Sequence, residues 1–105
     1  MSLIFQGKSG KIRHLRVTDM TAGGFGPEDD RLHTEVVVVL DELDQAAAYG
    51  FELKAADPHL PSRLAMLSVL REAYVAGRTV GLAYYIEEGK HKGRLVRVDI
   101  GSDVK

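Results

Sequence analysis

The chain has no cysteine and no tryptophan, only three prolines, and no apolar run approaching the roughly 18 to 20 residues that a membrane helix needs. Without cysteine there is no disulfide, thiol nucleophile, thiolate metal site or iron–sulfur cluster, which fits a reducing compartment. Without a membrane-length run, a soluble protein with no membrane span is the expectation. Charge of one sign is lacking too: 14 Lys and Arg face 15 Asp and Glu, a net charge of -1, so no global attraction draws the chain to nucleic acid or an anionic membrane. The start, "MSLIFQGKSGK", carries neither the charged region nor the long apolar segment of a secretory signal. A cytoplasmic location is expected for the chain as it stands, and a secreted one if it is the trimmed form of a precursor.

What is present is ordinary globular composition, 45% hydrophobic and 28% charged over 105 residues, enough for one modest core and too little for two. A single domain over 1–105 is expected, with residues 1–7 disordered and a glycine-rich loop at 21–33. Charge is segregated. Lys8, Lys11, Arg13 and Arg16 make the start basic, Glu28, Asp29, Asp30, Asp41, Glu42 and Asp44 make the middle acidic, and Lys90, Lys92, Arg94 and Arg97 make the end basic again.

The uneven spacing of Ile12, Leu15 and Val17 predicts a long strand with a bend or bulge. "TAGGFGPEDDR" breaks it with three glycines and a proline. "EVVVVL" is the strongest strand, and because its apolar residues do not alternate, both of its faces must be covered. After the polar "DELDQAA", Tyr49, Phe51 and Leu53 at period two predict a third strand. Pro61 suits the first turn of a helix that runs to about Ala76, where Gly77 caps it in the left-handed conformation. Val80, Leu82, Tyr84 and Ile86 mark one side of a fourth strand, and Val96, Val98 and Ile100 one side of a fifth. The order β-β-β-α-β-β predicts a mainly β OB-fold, a five-stranded Greek-key barrel with one helix.

Plotted at about 100° per residue, Ala65, Ala76, Val69, Ala73, Met66, Leu70, Tyr74 and Leu67 fill an arc of about 200° on the helix, twice the stripe needed to cap one barrel. The surplus predicts a second partner, and a large exposed apolar patch is most simply buried by another copy. Ala65, Met66, Val69, Ala73 and Ala76 are the expected oligomer interface, joined by Val37 and Val39 from the outer face of the valine strand.

The strand order, the helix ending Leu70-Arg71-Glu72-Ala73-Tyr74, the apolar strand with Leu82 and Tyr84, and the closing "VRVDI" resemble the B subunits of pentameric bacterial toxins of the cholera-toxin type, over residues 49–101. The resemblance implies a ring of five subunits, helices lining a central pore, edge-to-edge strand pairing between neighbours, and recognition of a glycan or protein by exposed loops. The chain departs from that family in lacking the disulfide and signal peptide of many members and the tryptophan that stacks on sugar in some.

Other chemistry fails on spacing. "GKSGK" lacks the glycine five positions before its Gly-Lys-Ser that a phosphate loop requires, and "GGFG" opens no helix. His14, His33, His59 and His91 stand singly, and Glu28-Asp29-Asp30 lacks the alternation and glycine of a calcium loop. No catalytic set, metal or cofactor is expected. Basic residues on the first and last strands, Arg13, Arg16, Lys90, Lys92, Arg94 and Arg97, with Phe25 and Tyr85 as stacking faces, suit an alternative role, an OB-fold groove for single-stranded nucleic acid. The expected function is thus a non-enzymatic, self-associating binding module.

Overall fold

The computed structural model describes residues 4–19, 24–28, 31–41 and 48–100. Its elements follow the expected order: β1 Phe5–Val17, β2 Val36–Leu40, β3 Tyr49–Phe51, α1 Leu60–Ala76, β4 Thr79–Ile86 and β5 Gly93–Ile100. β1 is antiparallel to β2 and β4, β2 to β3 and β4 to β5, while β3 meets β5 in parallel, so the sheet is mixed. The hydrogen-bonded order β1-β2-β3-β5-β4 closes into a ring.

β1 serves both halves of that ring. Its first half, Phe5 to Lys11, pairs with β4, and its second, Ile12 to Val17, with β2; the register shifts between Ile12 and His14, where the uneven apolar spacing predicts a bend. Residues 5–7, expected to be disordered, instead begin β1. Phe5, Gln6 and Gly7 face Tyr85, Tyr84 and Ala83 across a ladder, held by backbone pairing although their side chains are exposed. Residues 1–3 lie outside the described residues, as do 42–47 of the expected polar turn and 21–23, 29 and 30 of the glycine-rich loop.

The main core gathers Ile12, Val36, Val38, Leu40, Tyr49, Phe51, Leu70, Ala73, Val80, Leu82, Tyr84 and Leu95. β2 is buried on both faces, as its unalternating sequence requires, but not in the way expected. Val37 and Val39, 0% and 2% exposed, form a second cluster with Leu32 and Ala48, and Phe25 packs against it. The chain itself covers this face, so neither valine offers surface to a partner.

Close strand approach explains two glycines. A Cβ on Gly50 would collide with the Thr34 hydroxyl and the Val36 carbonyl, and one on Gly93 would lie 2.6 Å from Tyr84 Cδ2 and 2.8 Å from Tyr49 Cδ1. That leaves room for the buried tyrosine pair, whose ring centroids are 4.8 Å apart.

The helix begins where Asp57 fixes the chain: its carbonyl accepts from the Leu60 N–H (3.0 Å), its Oδ1 from the His59 N–H (2.8 Å), and its Oδ2 pairs with Arg63 Nη1 (2.8 Å). The helix ends at Gly77 (φ 67°, ψ 31°), where the N–H groups of Gly77 and Arg78 satisfy the Tyr74 and Ala73 carbonyls. Leu70 and Ala73 are buried, and Met66 and Leu67 pack against the main core. Met66, expected on the outer side, thus belongs to the sheet-facing side with Ala73. Of the expected interface residues, Ala65 and Ala76 are exposed and Val69 is half-buried.

β5 brings a further correction. Tyr84 pairs with Leu95 and Ala83 with Arg97, which leaves Val96 unpaired in a bulge. The bulge turns Val96 outward to 46% exposure while Leu95 is buried, so Val96 does not share a face with Val98 and Ile100, both packed against the core.

Candidate functional site

The described residues that carry chemistry fall into three places on the outside of the ring. The first is where β1 meets the glycine-rich loop. Phe25 and Leu32 close a small hairpin by exchanging backbone hydrogen bonds of 3.0 and 2.8 Å, with Gly26 at φ 102°. The hairpin lays Phe25 on the outer face of β1 and β2. There the Arg16 guanidinium sits 5.3 Å from the ring centroid, and the His14 ring stacks at 6.4 Å and 29°. Arg16 Nε and Nη2 are cut off from solvent without a hydrogen-bond partner.

The second place is a relay of charges along the end of β3 and the start of β5. Glu35 is buried. Its Oε1 accepts from the Leu53 N–H at 2.6 Å, and its Oε2 pairs with Lys54 Nζ at 3.0 Å. Lys54 also approaches Glu52 Oε2 at 3.9 Å, and Arg94 bridges Glu52 (2.7 Å) and Glu87 (3.0 Å). Burial works against the charged form of Glu35, but the Leu53 N–H and the Lys54 ammonium outweigh it and hold the carboxyl below the usual carboxylate range. For Arg94, burial opposes the charge and Glu52, with Glu87, more than restores it, raising its value above that of an ordinary arginine. This relay holds strands together; its members satisfy one another.

The third place is open. On β1, β4 and β5 the outward positions include Gly7, Ser9, Gly81 and Ala83, so the outer face is shallow there, and Phe5 (59% exposed) meets Tyr85 edge-on at 6.2 Å beside Val96. Ile4, 78% exposed, extends the apolar surface. A cleft of about 580 Å³ runs between Phe5, Ala83, Val96 and Arg97. Another, of about 370 Å³, lies between the first turn of α1 and β5, lined by His59, Ser62, Arg63, Met66, Leu95 and Val96. It sits where β5, beyond Arg94, has no strand on its second side among the described residues.

The basic residues expected to form one groove do not converge. Arg16 joins Phe25, whereas Arg13 is exposed nearby on β1. Arg94 is held by two carboxylates, Arg97 pairs with Asp99 at 3.7 Å, Lys92 is buried, and Lys90 sits in the turn where its N–H donates to the Glu87 carbonyl at 3.0 Å. The register that joins the two groups runs Arg16, Val37, Gly50, Arg94, which puts Arg16 and Arg94 three strand spacings or roughly 14 Å apart, and Leu32 covers its middle. Glu35, Glu52, Val96 and the partnership of His14 with Phe25 escape sequence reading, since each depends on a loop or bulge that brings distant residues together. Among the described residues no three His, Asp or Glu side chains gather at metal-binding distance. No protein-family model and no curated protein matches this sequence.

Proposed function

We propose that this chain is a non-enzymatic OB-fold binding module that assembles with copies of itself into a closed ring, as in the toxin B-subunit family that it resembles. The closed strand order 1-2-3-5-4, with the helix between the third and fourth strands, supports a Greek-key barrel of that class. The observation that carries assembly is the open apolar surface of Ile4, Phe5, Tyr85 and Val96. A different patch, the line of Ala65, Val69 and Ala76 on α1, gives a neighbour something to meet. Two unlike patches make a head-to-tail contact, and head-to-tail contacts that close make rings. The ligand, a glycan or a protein, would then meet the loops left outside. Native mass spectrometry at micromolar concentration should give a single multiple of the chain mass, five in the favoured case; a monomer would end this reading.

A second reading, single-stranded nucleic acid, is favoured by one feature, the Arg16–Phe25–His14 stack. It predicts binding of oligonucleotides that weakens with salt and is lost in an Arg13→Ala/Arg16→Ala variant. Arg94, held by Glu52 and Glu87, would contribute nothing to it.

A further inference from the structure

We propose that the open edge of β5 takes up an extended peptide of a partner protein as one more strand, laid between that edge and α1, and that this peptide carries an acidic residue close to an apolar one. β5 pairs with β4 from Gly93 to Ile100, broken only by the bulge at Val96, but it pairs with β3 only at Gly93 and Arg94. From Leu95 onward its second side meets no strand among the described residues. Such a row of strand donors and acceptors is a template for an extended chain, and adding a strand to a sheet edge is a general mode of peptide recognition. Only an extended backbone repeats at the spacing of those groups.

The space and the charges beside the edge fit that occupant. The cleft of about 370 Å³ separates Leu95 and Val96 from α1, where Ser62 and Met66 stand one turn apart. Its floor is apolar, since Met66 packs against the core and Leu95 is buried, and its rim is polar, with His59, Ser62 and Arg63. An apolar side chain of the added strand lies on that floor. Arg63 and Arg94 are already engaged, by Asp57 and by Glu52 with Glu87. Arg97, further along the edge, is not held in this way: its side chain is 72% exposed and its contact with Asp99 is 3.7 Å long. A carboxylate opposite it in the added strand makes a cross-strand pair of opposite charge. Arg97 lies just past the cleft along β5, so the acidic residue of the peptide stands one or two positions from the apolar one. Val96 and Arg97 also border the outer face proposed for assembly, but the groove needs no second copy, and a monomer carries it equally.

The test selects binders to the full chain from a display library of random peptides of about eight residues, in parallel with Ser62→Trp, whose indole fills the cleft from an exposed helix position. The parent should enrich proline-free peptides in which an acidic and an apolar residue lie within two positions of each other. The best of these, synthesised, should shift the amide resonances of Leu95 to Ile100 and bind Ser62→Trp about tenfold more weakly. Arg97→Glu should weaken it about five-fold. N-methylation of alternate residues of the peptide separates backbone pairing from side-chain docking: the set whose N–H groups face β5 should lose about tenfold and the other set little. If Ser62→Trp does not fold, Arg97→Glu and the two methylated sets decide. No peptide enriched by the parent, equal losses from both methylated sets, or unchanged affinity in Arg97→Glu would overturn the proposal. So would amide shifts of Leu95 to Ile100 that follow protein concentration without peptide, because a second copy would then occupy the edge.

Discussion

The two halves of the ring are built from the same β1 strand and treat their outer faces in opposite ways. Over β1, β2 and β3 the outer residues are bulky, Val37 and Val39, and the chain folds its own hairpin over them. Over β1, β4 and β5 the outer residues are small, Gly7, Ser9, Gly81 and Ala83, and no hairpin of the described chain folds over them or the flanking Phe5 and Val96; the Asp99 side chain alone reaches over Gly81. An unalternating apolar run therefore says that both faces are covered without saying by what. The valine strand needs no second copy; the surface that still lacks cover lies over β4, which alternates cleanly, and its neighbours β1 and β5, each broken by a register shift. In a proposed assembly a neighbour would therefore meet Phe5, Tyr85 and Val96 and not Val37, Val39 or Met66.

The largest test of this contrast is a charge placed under the hairpin. Val37→Asp puts an unpaired carboxylate where nothing is exposed, at a cost above about 4 kcal/mol. In a domain of ordinary stability that leaves the protein largely unfolded by circular dichroism. A folded variant would mean that this face opens readily and that the hairpin is not a true cover.

Next is Gly50→Ala, which tests how tightly the covered face is closed. The added methyl meets Thr34 and Val36, and Leu32 lies 3.1 Å away, so a loss of about 1 to 3 kcal/mol is expected in urea unfolding. Gly7→Ala on the open face has its nearest atom at 3.7 Å and should cost much less. Equal costs would erase the distinction between the halves.

Glu35→Gln probes the relay that ties the end of β3 to the residues before β2. Losing a charged partner for the Leu53 N–H and Lys54 should cost about 2 kcal/mol near neutral pH. The sign of the pH effect follows from the direction of the shift. The folded carboxyl is held below its unfolded value, so its contribution is complete above the ordinary glutamate range and disappears as pH falls through the lowered folded value. Parent and variant should therefore converge in strong acid. A gap that stays constant with pH would show that the carboxylate's charge is not what matters.

Sequence reading reached the element order, the bend in β1 and both helix ends, because each has a local cause: apolar period, Pro61 in the first turn and the left-handed Gly77. It failed at Val96 because alternation assumes an unbroken register, and a bulge is a property of the pair of strands rather than of β5 alone. It also failed on the helix wheel. Counting apolar residues gave an arc too wide for one sheet, yet the sheet takes Met66 and Leu67 as well as Leu70 and Ala73 and leaves Ala65, Ala76 and Tyr74 of that arc exposed. Of the candidate site, sequence reading put Arg16 and Phe25 in one groove together with Arg94. Their contact, and the carboxylates that occupy Arg94, depend on loop geometry that no periodicity encodes.

The smallest expected effect on stability decides the most about function. Val96→Asp lies in a bulge, 46% exposed, with Arg97 next in sequence, so folding stability should change by no more than about 0.5 kcal/mol. If the open face is an interface, the same carboxylate would be buried against the apolar surface of a neighbour, where an unpaired charge is not tolerated. The variant should then keep its melting curve at low concentration and lose its assembly by native mass. Ala65→Asp, at an exposed position of the Ala65, Val69 and Ala76 line on α1, tests the other half of a head-to-tail contact in the same way. Loss of assembly in both, with the fold intact, requires two unlike patches; loss in only the β5 variant means that the open face meets its own counterpart and the assembly is a two-fold dimer instead of a ring.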